Sequence, residues 1–86
     1  MTIETPPSPR DWVTIEPAGT PAVVSSIRAD GRIEVVYLDG RDRAINEDLV
    51  WRGGSWRFAH EGVDGGYADK SARLQPYVEV LRRGRL

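Results

Sequence analysis

The chain contains no cysteine. Disulfides, thiolate catalysis and cysteine-ligated zinc are therefore excluded. Small secreted domains commonly carry disulfide staples, so their absence points to a reducing, cytoplasmic setting. Histidine occurs once, at His60. A metal site would have to combine it with Glu61, Asp64 and Asp69, which lie in a glycine-rich stretch with no recognised ligand spacing. A solvated loop is the expectation there, with no metal and no cofactor. A serine nucleophile would need His60 as base and an acid to orient it, and Ser25, Ser26, Ser55 and Ser71 have no nucleophile-elbow context. Gly62, Gly65 and Gly66 lack the strand before and helix after that a phosphate loop requires. No apolar run approaches the ~18 residues of a membrane span. Met1 to Trp12, rich in proline, has neither the basic start nor the apolar stretch of a signal peptide. With 86 residues there is room for one domain and none for a deep, supported substrate cavity. An enzyme is not expected, and no catalytic residues are assigned.

Neither sign of charge dominates, the net being −1, but the distribution is uneven. Asp30 to Asp48 is locally acidic, with Asp30, Glu34, Asp39, Asp42, Glu47 and Asp48 against Arg32, Arg41 and Arg43. Lys70 to Leu86 is basic, with Lys70, Arg73, Arg82, Arg83 and Arg85 against Glu79 alone.

What is abundant is β-forming sequence broken by turn residues. Residues 1–10 read as a disordered, proline-rich lead-in, and 11–86 as a single domain. Trp12 to Glu16 is a first strand, with Val13 and Ile15 on one side. Ala22 to Ile27 is a second and Ile33 to Leu38 a third, separated by a turn at Ala29-Asp30-Gly31. Asp39-Gly40 is a strong hairpin signal. A two-residue loop would pair Val35 with Ala44. A three-residue loop would pair Val35 with Ile45, which joins more apolar area and is preferred. Asn46-Glu47-Asp48 reads as a capped turn of helix or a tight bend, with Asp48 or Asn46 bonding backbone amides.

The Gly53-Gly54 pair then predicts a two-residue hairpin loop. It pairs Arg52 with Ser55, Trp51 with Trp56, Val50 with Arg57 and Leu49 with Phe58. Leu49, Trp51, Trp56 and Phe58 share one face in that register. Trp51 or Trp56 is expected in the core, with Trp51→Ala costing ~3–5 kcal/mol. His60 to Asp69 reads as a long loop. Leu74, Tyr77, Val78 and Leu81 recur at helical spacing, so a short C-terminal helix over about 72–83 is expected.

Five or six short antiparallel strands with tight turns describe a small barrel. The stretch Ile33-Glu34-Val35-Val36-Tyr37-Leu38-Asp39-Gly40, then Arg41-Asp42-Arg43 and Glu47-Asp48-Leu49, resembles the SH3-like barrels, and their Tudor-like variant in particular, over about residues 20–58. The resemblance implies an SH3-like barrel and a ligand site that begins with Tyr37 and uses Asp39 as its acid. Asp39 is followed directly by Gly40, where Tudor domains commonly place a further aromatic.

These readings converge on a small non-catalytic interaction domain. A protein or peptide would bind an aromatic hairpin face made of Tyr37, Asp39, Trp51, Trp56 and Phe58, in a groove bounded by the Ala29–Gly31 turn, the Asp39-Gly40 turn and the hairpin. The alternatives are a nucleic-acid-binding barrel using Arg82, Arg83 and Arg85, or a structural subunit of a larger assembly. A monomer or weak homodimer, with no membrane association, fits each of them.

Overall fold

Apolar residues at consecutive rather than alternate positions mark two of the strands. Ala22-Val23-Val24 and Val35-Val36 would each expose a valine if only one strand face were buried, so both faces must be covered. A computed structural model, which describes residues 7–40, 43–59 and 66–84, shows how. The strands are β1 (Trp12–Ile15), β2 (Thr20–Ile27), β3 (Ile33–Leu38), β4 (Ala44–Arg52), β5 (Ser55–Phe58) and β6 (Gly66–Tyr67). Two 3-10 turns, Ala68–Lys70 and Ala72–Leu74, lead into α1 (Gln75–Arg83).

β1 to β5 pair in succession and close into a barrel through Ile15 opposite Trp56. The Glu16 amide donates to the Trp56 carbonyl at 2.8 Å beside that contact. The result is a small closed five-stranded barrel, compatible with an SH3-like fold. The expected all-antiparallel arrangement needs correction, because the closing β1–β5 pair is parallel. Topology makes this unavoidable: in an up-and-down barrel with an odd number of strands, the first and last run the same way. β6 lies outside the barrel, antiparallel to the start of β4.

Inside the barrel sit Ile15, Ala22, Val24, Ile33, Val35, Leu49 and Trp56. The opposite face of β2 and β3 presents Val23 and Val36, and these are buried by Leu74, Val78 and Leu81 on and before α1. The second layer explains the unbroken valine runs. The helix forms where its spacing predicts. Pro76 occupies its first turn, and Gly84 ends it at φ 81 with its amide donating to Val80 O.

Strand β4 departs from expectation at its start. The observed register pairs Leu38 with Ala44 and Val35 with Glu47, so neither the two- nor the three-residue loop forms. The preferred register was two residues out, a slip that leaves each side chain on its expected face. The longer connection is closed by Asp39, whose carboxylate accepts from the Arg43 amide at 2.9 Å while its own amide donates to Arg43 O at 2.9 Å. Asn46-Glu47-Asp48 is not a turn but the middle of β4. The expected loop at 60–69 also needs correction at its end, where Gly66–Tyr67 is strand and Ala68–Lys70 a 3-10 turn. The Gly53-Gly54 hairpin has the expected register throughout. Both glycines take positive φ (63 and 84), as a two-residue loop matched to strand twist requires.

Candidate functional site

The hairpin brings four large side chains to one face, but they meet different surroundings. Leu49 is fully buried and Trp56 is 7% exposed, so both belong to the core. Trp51 is half-buried and packs edge-on against Trp56, with centroids 5.2 Å apart. Phe58 is 37% exposed and lies against Tyr37, centroids 5.7 Å apart and rings tilted by 57°. The Tyr37 hydroxyl donates to Glu47 Oε2 at 2.8 Å. Burial and that bond push its ionisation above the ordinary tyrosine range, with the Asp39 charge adding to the shift. Phe58, Tyr37 and Glu47 thus form an aromatic pair with a carboxylate bound to it, and the Asp39 charge acts on the same tyrosine. Asp39 is also paired with Arg43 at 3.1 Å.

The groove expected between three turns does not form as described. The Ala29–Gly31 turn and the Gly53-Gly54 turn lie at one end of the barrel, and the Asp39-Gly40 connection at the other. The length of β3, roughly 20 Å at ~3.3 Å per residue, separates them. Trp51 lies toward the hairpin tip, and Phe58 lies further along the same hairpin, where it meets Tyr37 of β3.

A second polar cluster was not singled out from the sequence. Glu34 on β3 faces the helix side and its side chain is only 3% exposed. Arg73 grips it with two bonds of 2.9 and 3.1 Å, reaching from the 3-10 turn before α1. Ser25 Oγ donates at 2.8 Å and Ser26 Oγ at 3.4 Å. Both serines reach one carboxylate because β2 bulges there: Val24 opposes Val35 while Ser26 opposes Glu34. Asn46 and Arg28 complete the set at 3.3 and 3.4 Å, and Arg28 also holds Asp48 at 3.1 Å. Burial alone would raise the Glu34 pKa, but Arg73, Ser25 and Arg28 more than offset it and hold the carboxyl down at about 2. The polar residues of β4 thus have partners across the sheet, which is why they are strand rather than turn. The cluster fastens the C-terminal segment to the barrel. Its signal in the sequence was an acid embedded in Ile33-Glu34-Val35-Val36, where both strand faces are apolar.

The basic C-terminus is less open than its composition implies. Arg82 holds Asp69 through two contacts of 3.0 and 3.1 Å. The Ala44 amide and Arg82 keep the Asp69 carboxyl below its usual range. Arg83 is exposed, while Arg85 lies outside the described residues. So do His60, Glu61 and Asp64. Among the described residues no three histidine, cysteine or acidic side chains converge as metal ligands, and no helix is long and apolar enough to cross a membrane.

No family model, curated protein or solved structure matches the chain. Its class rests on the fold: a closed five-stranded barrel whose outer face is capped by a C-terminal helix.

Proposed function

We propose that this is a Tudor-like, non-catalytic interaction module of the cytoplasm that binds a protein or peptide through the Phe58–Tyr37 face. The observation that carries the reading is the exposed Phe58 ring packed on Tyr37 with the Glu47 and Asp39 carboxylates beside them. In the Tudor resemblance Tyr37 is the first aromatic wall and Asp39 the acid. Phe58, arriving from the neighbouring hairpin, takes the place of the aromatic that the sequence lacks between Asp39 and Gly40. An aromatic face attracts a cation, and adjacent carboxylates add to that field. The favoured ligand is therefore a peptide offering a lysine or arginine side chain. Trp51 flanks the site and Trp56 supports it from the core. The module works as a monomer or weak homodimer.

The test is an amide NMR titration with arginine- and lysine-containing peptides. Shifts centred on Tyr37 to Asp39, Glu47 and Phe58 support the reading. Shifts confined to the helix, or none with any cationic peptide, overturn it.

A further inference from the structure

Beyond that reading, a second surface presents an aromatic ring to solvent among cations. Tyr67 on β6 stands opposite Ile45 and is 50% exposed. The Arg43 guanidinium lies 5.1 Å from its ring centroid and the Lys70 ammonium 5.8 Å. Together with Asp69 these residues line a cleft of about 420 Å³.

The parts are held in place independently of any ligand. Arg43 is fixed by Asp39 and donates to the Tyr67 hydroxyl at 3.2 Å. A guanidinium has five N–H donors, so at least two remain for an incoming anion. Asp69 is fixed by the Ala44 amide and by Arg82, which anchors the 3-10 turn that carries Lys70. Among the described residues Lys70 pairs with no carboxylate, and its ammonium lies over the Tyr67 ring. Gly66 permits the close approach of β6 to β4, since a Cβ there would meet Asn46 Oδ1 at 3.1 Å. Among the described residues, Asp39 pairs with Arg43 and Asp69 with Arg82, Lys70 adds a further cation, and Arg83 is exposed on the helix that carries Arg82.

We propose that this cleft binds single-stranded nucleic acid, one base stacking on Tyr67 and the adjoining phosphates lying between Lys70 and Arg43. An acidic peptide would use the cations alone and make no use of the exposed part of the ring, whereas a nucleotide uses both. Aromatic stacking of bases is tolerant of sequence and operates with flanking cations. The nucleic-acid reading thereby moves from the C-terminal arginines to a cleft whose Asp69 is held by Arg82.

The experiment is fluorescence anisotropy with a labelled oligouridylate across a salt series, with polyglutamate as competitor. Two neutralised phosphates predict a slope of log Kobs against log[salt] of about −1.4, falling to about −0.7 in Lys70→Ala. Tyr67→Ser is expected to weaken binding roughly tenfold while leaving the slope unchanged. Both side chains are exposed, so both variants should keep the wild-type melting temperature, which is measured alongside. The proposal is overturned by no salt-dependent binding to the wild type. It is equally overturned if Tyr67→Ser binds as well as the wild type, or if polyglutamate competes as well as unlabelled oligouridylate. Phe58→Ser should bind the oligonucleotide normally, which separates this cleft from the peptide face.

Discussion

Replacing Glu34 with glutamine keeps the size of the side chain and removes its charge. In the folded chain this carboxyl titrates at about 2, against an ordinary value of 4.5. At ~1.4 kcal/mol per pKa unit, the ionised form contributes on the order of 3 kcal/mol to folding. The Arg73 side chain is 61% exposed, so solvent screening trims this to about 2–3 kcal/mol. That is a large share of the ~5–10 kcal/mol typical of a small domain. A depressed folded-state pKa gives stability that is complete above about pH 5 and lost as pH falls through 4.5 towards 2. Urea denaturation of wild type and Glu34→Gln across that range is the assay. Near neutrality the variant should be less stable by ~2–3 kcal/mol, and the gap should close near pH 2. Asp30 and Asp69, also held below their usual range, weaken both proteins alike, so the difference isolates Glu34. Equal stabilities near neutrality, or a gap unchanged at low pH, would refute the reasoning.

The two hairpin tryptophans should separate clearly. Trp56→Ala, in the core, is expected to cost ~3–5 kcal/mol, and Trp51→Ala, half-buried, about 1–3 kcal/mol, both read by thermal or urea unfolding. The reverse order would mean that the core has been assigned to the wrong ring. In an ultraviolet titration Tyr37 should resist ionisation until the fold is lost, whereas Glu47→Gln should lower its pKa without unfolding the chain. A Tyr37 that titrates at the ordinary tyrosine value would contradict its burial and bond to Glu47.

The parts of the fold legible in the sequence are those where local chemistry leaves one choice. Gly53-Gly54 demands two positive φ values in succession, and the register from Leu49–Phe58 to Arg52–Ser55 follows from that loop length. Leu74, Val78 and Leu81 form a stripe that only a helix makes continuous. The β3–β4 connection was not legible because alternation fixes register only to within two residues, and the Asp39–Arg43 closure depends on side-chain geometry. Asn46-Glu47-Asp48 has the composition of a turn. It is strand because Glu34, Tyr37 and Arg28, distant in sequence, supply the partners. Of the candidate site, Tyr37 and Phe58 come together and Trp56 is drawn into the core, while Glu47 carries a turn signature and Tyr67 sits in a stretch that reads as loop. Each of those two depends on cross-strand pairings that no local pattern encodes.

The most direct test of the interaction face compares wild type with Phe58→Ser on an array of lysine- and arginine-containing peptides, with melting temperature recorded in parallel. The account predicts that peptides held by the wild type are lost from the variant, roughly tenfold or more in affinity, while the melting temperature stays within a few degrees. A Phe58→Ser protein that melts normally and keeps every peptide would contradict it.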